Sequence, residues 1–133
     1  MKIYTLIVLF GIMNIPQQYN DRRVIVITAT ENNSEVKNQI ESLKKNEKEL
    51  LERRLAIFTQ INGELNPVFN TSEQSEKFLK KNSKNYKEAS TPKIQLIGLD
   101  KNIKETFTSF VKPQQIFEIV DTMPLRQAEI RND

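Results

Sequence analysis

The stretch Val24 to Ala29 constrains the fold of this chain more than any other. It is β-branched and almost wholly apolar, so a strand made from it has no face suited to water and must be covered on both sides, as in a partly parallel sheet. Asn32, Asn33 and Ser34 follow as good helix caps, with Glu35 three residues after Asn32 as in a capping box. Val36, Ile40, Leu43, Leu50 and Leu51 then fall near one face of a helix running to about Glu52. Its other face mixes Glu41, Lys44, Lys45, Glu47, Lys48 and Glu49, and the mixed signs read as a solvated surface. Arg53 and Arg54 close the helix at its negative end, and Leu55 to Gln60 make a second strand. Strand, helix and strand in this order predict a βαβ unit with a right-handed crossover.

At 133 residues, with 38% apolar and 28% charged, the chain suits one domain with a single core. It contains neither Cys nor His. Thiol chemistry is therefore excluded: no peroxidatic nucleophile, no thioredoxin-type Cys pair, no disulfide and no cysteine zinc site. The commonest general base and metal ligand is missing as well. Three glycines leave no Gly-rich phosphate cradle of the P-loop or dinucleotide type. The net charge of +3, from 20 basic and 17 acidic residues, is too balanced to imply a polyanionic partner.

Lys2 followed by the mostly apolar run Ile3 to Met13 has the shape of a secretory signal, shorter than the roughly 20 residues a spanning helix needs. Asn14-Ile15-Pro16-Gln17-Gln18 lacks a small-residue cleavage site, and a buried strand or an uncleaved anchor are the other readings of this run. The expectation is a signal peptide over residues 1–18, a single domain over 19–133, secretion or a periplasmic location, and no stable membrane insertion once the signal is removed.

The middle of the chain carries fewer signals. Asn62-Gly63 marks a turn, Asn66-Pro67 another, and Ser72 can cap a short helix that buries Phe78 and Leu79. Lys77, Lys80, Lys81 and Lys84 lie at helical spacing, with Lys87 beyond. Such a stripe could hold phosphate or an acidic partner, but it lacks interleaved aromatics or arginines for base recognition, so no nucleic-acid partner is expected and a solvated face is the favoured reading. Asn32-Asn33-Ser34 and Asn70-Thr71-Ser72 match the glycosylation acceptor pattern, yet both sit where a helix cap is expected.

Ile94 to Leu99, the turn residues Asp100-Lys101-Asn102 and an extended run from Ile103 predict a hairpin, with Asn102 best able to take a positive φ. Pro113 then opens a helix with Ile116, Phe117, Ile119 and Val120 on one apolar face. Met123-Pro124 seats Met123 in the core and stops that helix, and the tail that follows has apolar anchors among charges of both signs. The segments LIGLDKNIK and IFEIVDTMPLRQAEI resemble the closing signature of the domain of unknown function 4174 family, with Asp121-Thr-Met-Pro-Leu-Arg126 and Glu129 the most specific part. The similarity extends over Arg22 to Ile130. It implies a thioredoxin-like or peroxiredoxin-like domain of secreted and periplasmic proteins and brings no reaction with it. The family usually has Asp-Gly-Gly at the hairpin turn, where this chain has Asp100-Lys101-Asn102, which puts a phosphate nest there in doubt. By the same resemblance, Thr91-Pro92 corresponds to the cis-proline position that faces the thiol site in such folds; an ordinary trans proline is favoured here.

The fold expected is therefore α/β, a thioredoxin-like three-layer sandwich with a central sheet of about four strands and helices on both faces. The acids of the C-terminal half are Asp100, Glu105, Glu118, Asp121 and Glu129, with Arg126 and Arg131 as cations. Spacing alone brings no two carboxylates together in a cleft, so no catalytic or metal-ligating residue is assigned and no cofactor is expected. Asp121 and Arg126 are expected to form a contact that fixes the tail, and Asp100, Asp121, Arg126 and Glu129 are the candidate binding residues. Two functions follow: a non-redox binding module for a protein or small molecule, or a small enzyme using Asp/Glu and Arg, with or without a divalent metal. A deep pocket with convergent acids would favour the enzyme, and a flat apolar or charged patch the module.

Overall fold

The computed structural model describes residues 19–82 and 92–132. Five strands, β1 (Arg23–Ala29), β2 (Leu55–Ile61), β3 (Glu64–Phe69), β4 (Lys93–Ile97) and β5 (Ile103–Phe107), form one mixed sheet in the order β3-β2-β1-β4-β5. The helices are α1 (Ser34–Lys44), α2 (Glu47–Glu52), α3 (Glu73–Lys81), α4 (Pro113–Asp121) and α5 (Pro124–Asn132). β1 is the central strand, parallel to β2 (Val24 opposite Ala56) and antiparallel to β4 (Val24 opposite Ile97).

This placement explains the apolar run. Side chains alternate along a strand. Ile25, Ile27 and Ala29 enter a core shared with Val36, Leu43 and Leu50 from α1 and α2 and with Ile116, Phe117 and Val120 from α4. Val24 and Val26 enter the opposite core with Ala56, Phe58 and Ile97, under Leu79 of α3. The result is a three-layer thioredoxin-like α/β sandwich, with a βαβ half and a ββα half that meet at β1.

The sheet has five strands where about four are expected. The additional strand, β3, is an edge: its burial is slight, and Pro67 within it needs no ladder donor on the open side. Asn62 and Gly63, both with positive φ, make the tight turn that joins it to β2.

The first helix ends earlier than its apolar pattern suggests. Asn46 leaves the helical conformation (φ −109°, ψ 45°) and separates α1 from α2, its amide donating to Ser42 O at 3.0 Å. In consequence Leu51 turns outward and is 49% exposed, instead of joining the buried face. The α1 cap is Asn33, whose Oδ1 accepts from the Val36 N–H, one residue later than the capping box anticipated at Asn32. Ser72 caps α3 with a reciprocal partner in Ser75.

The β4–β5 hairpin forms as expected, but Lys101 (φ 72°), and not Asn102, holds the left-handed position. The turn begins at Gly98, which accepts from Lys101 N–H and donates to Asn102 O, so the left-handed residue of the three-residue loop falls on Lys101. The segment after α4 is a helix, and Met123 is buried in the core before it. The Thr91–Pro92 bond and the segment 1–18 involve residues outside those described. Among the described residues no helix is long and apolar enough to cross a membrane.

Candidate functional site

At the start of β1, on the face covered by α4 and α5, the chain assembles a network of three arginines and two carboxylates. Pro124 begins α5 directly beneath the end of α4, which returns Arg126 and Glu129 towards Asp121. Arg126 Nε donates to Asp121 Oδ1 at 3.2 Å, the contact expected of that pair. Asp121 is also gripped by Arg53, Nε to Oδ1 at 3.0 Å and Nη2 to Oδ2 at 2.9 Å, a bidentate fork of the kind that makes Arg–carboxylate pairs strong. The Arg53 guanidinium lies 4.8 Å from the Phe117 ring centroid, over its face.

Glu129 makes the second bidentate pair. Both its oxygens accept from Arg23 at 3.2 Å, and Oε1 also accepts from Arg126 Nη1 at 3.4 Å. Arg23 is fully buried and donates to Arg53 O at 2.8 Å, while Arg126 donates to Glu52 O at 3.1 Å. The last carbonyls of α2 are thus satisfied by arginines, which joins α2, β1, α4 and α5 at one point. Burial alone would push the Asp121 carboxyl up; hydrogen bonds from Arg53 and Arg126, aided by their charges, outweigh it and hold the group below the ordinary carboxylate range.

Three of the four candidate binding residues, Asp121, Arg126 and Glu129, are brought together, but as members of this latch. Asp100 is apart from them, at the β4–β5 turn. It accepts from Lys104 Nζ at 2.5 Å and from Asn102 N–H at 3.1 Å. Its carboxyl is pushed up by burial but lowered further by Lys104 and the Asn102 amide, so it lies below the usual range. Gly98 makes room for that contact, since a Cβ there would stand 2.6 Å from Lys104 Cε. Arg23 and Arg53 are the members that sequence reasoning missed. A signal existed for Arg23: a charged residue heading a wholly buried strand requires a carboxylate partner.

A cavity of about 480 Å³ opens at the other end of β1. Ile27 of β1, Ile94 of β4, Val36 of α1 and Pro92 form its apolar walls, with Glu35, Asn38 and the Thr108–Phe110 segment at its mouth. Gln39 fixes that segment. Its Nε2 donates to Val111 O and its Oε1 accepts from Val111 N–H, both at 2.9 Å, and Gln39 itself is buried. Phe110 stands at the edge of the cavity, 56% exposed. The cavity thus lies outside the carboxyl end of β1, beside the N-terminal end of its antiparallel neighbour β4. Among the described residues no three acids group closely enough to hold a metal ion.

No curated protein matches this chain. Among solved structures, StoA from Bacillus subtilis is similar at 13% sequence identity, with 75% of this chain and 83% of that chain covered and a TM-score of 0.44. A family profile matches residues 14–129, which span the sheet, the cavity and the arginine–carboxylate latch, and the chain therefore belongs to the family described as domain of unknown function (DUF4174).

Proposed function

We propose that this chain is an exported, non-redox binding module, and that its ligand enters the cavity between α1, β4 and the Thr108–Phe110 segment. One observation carries the reading: the apolar cavity lies at the carboxyl end of the central strand, whereas the charged residues of the C-terminal block are occupied by one another. A group that fits there is compact and mainly apolar, contributed by a protein or a small molecule, and Phe110 offers it an aromatic edge. Export is supported by Lys2 and the short apolar run Ile3 to Met13.

Native mass spectrometry of the mature protein, isolated from its own cells, tests the binding. The expected result is a copurifying species that Phe110→Ser loses without a shift in the denaturant midpoint. Retention of that species by Phe110→Ser would place the binding surface elsewhere. N-terminal sequencing tests export, and an intact Met1 in a cytoplasmic fraction would end that part of the proposal. Among the described residues Glu35 is the single carboxylate lining the cavity, and no observation favours the alternative of an enzyme built on Asp, Glu and Arg.

A further inference from the structure

The segment at the mouth of the apolar cavity is anchored at both ends and loosely held between them. Phe107, the last residue of β5, packs against the core shared by α1, α2 and α4. Val111 is buried in that core, and the Gln39 side chain donates to its carbonyl and accepts from its N–H, both at 2.9 Å. Between these anchors Thr108, Ser109 and Phe110 are all exposed, and among the described residues they make no hydrogen bond outside the sheet ladder. The turn at the other end of the β4–β5 hairpin is built differently, tied by bonds from Gly98 to Asn102, from Lys101 to Gly98 and from Asn102 to Asp100. Few buried contacts and few backbone hydrogen bonds mark the part of a chain that opens or shifts most easily. Phe110 is 56% exposed, although it borders the apolar walls made by Ile27, Val36, Pro92 and Ile94. An aromatic ring in water beside an apolar hollow gains by covering whatever fills that hollow, since the filling supplies atoms to pack against.

We infer that Thr108–Phe110 is a flap that closes over the ligand, with Phe110 as the group that covers it and with Phe107 and Val111 as its fixed points. The inference rests on the reading of this cavity as the binding site. Thr108 and Ser109, small and not proline, can absorb the change of backbone angles, and the Gln39 clamp on Val111 keeps the motion from spreading into α4.

The chain has no tryptophan, so Phe110→Trp puts a single fluorescent reporter on the flap and keeps an aromatic ring there. Cyclohexanol, compact and mainly apolar, is the probe, and occupancy of the cavity is read separately from the methyl resonances of Ile27, Val36 and Ile94. The expected result is a saturable shift of those methyls, accompanied in Phe110→Trp by a blue shift of the emission and a severalfold fall in its quenching by acrylamide. Leu51→Trp, at an exposed position on α2, should show neither change. Saturable methyl shifts without protection of the reporter in Phe110→Trp would leave the cavity reading standing and overturn the flap. Equal protection in Phe110→Trp and Leu51→Trp would mark a solvent effect of the alcohol and overturn it too. Absence of methyl shifts would end both the cavity reading and the flap.

Discussion

The two faces of the sheet treat charge in opposite ways where β1 begins. Under α4 and α5, Arg23, Arg53 and Arg126 meet Asp121 and Glu129 in two bidentate pairs and a bridging contact. Beneath α3, Lys77 and Lys81 line an open cavity that no carboxylate among the described residues lines. What separates the two regions is how far the ion pairs are shielded from water: the Arg23 side chain is fully buried in the first, whereas both members of the Lys77–Glu73 pair in the second are more than three-quarters exposed. The shielded pairs fix their cations and join elements distant in sequence; the exposed pair spans a single turn of α3. Residue type differs accordingly, with planar guanidinium forks in the closed network and flexible ammonium groups at the open one.

The largest test of this contrast is Glu129→Ala. It leaves the fully buried Arg23 without its carboxylate, and losing one partner of a buried pair costs about 3 kcal/mol, to be read from urea melts. A loss below about 1 kcal/mol would mean that the latch is solvated and resembles the lysine cavity more than its burial suggests. Next come Asp121→Ala and Arg126→Ala, at about 1 to 3 kcal/mol each. Because the two share a hydrogen bond, the double mutant should lose less than their sum, and strict additivity would break the network description.

A smaller effect concerns pH. The Asp121 carboxyl titrates lower in the folded chain than its unfolded value of about 4, so its contribution is complete above that value and is lost as pH falls through the folded pKa. The stability gap between the unmodified chain and Asp121→Asn should therefore narrow below about pH 4, and a gap that stays constant to lower pH would contradict the arginine contacts. The smallest change is expected at the lysine cavity, where Lys77→Gln/Lys81→Gln should shift stability by no more than about 0.5 kcal/mol, since both side chains are exposed. A larger loss there would make the lysines structural and remove the difference between the two faces.

Much of this was legible in advance. The βαβ unit, the β4–β5 hairpin, the Pro113 helix start, the buried Met123 and the Asp121–Arg126 contact follow from local pattern. The edge strand β3 was not, because Glu64–Phe69 buries little and contains a proline, so it has neither alternation nor an apolar run to announce it. The break at Asn46 was hidden by continuous helical periodicity on both sides. Lys101 took the left-handed position because the turn starts at Gly98, a register that depends on how β4 pairs with β5.

By itself the sequence determined that this chain has no thiol or imidazole chemistry, and that its centre is a strand buried on both faces, because these depend only on which side chains are present and in what order. Tertiary structure alone decided which charges pair across the chain. Arg23 and Glu129 stand 106 positions apart, Arg53 and Asp121 68 apart, and no local period connects them. Coulomb attraction and hydrogen bonding act over a few ångströms in space, so the same arginines and acids become a latch or a binding surface according to which elements the sheet brings together.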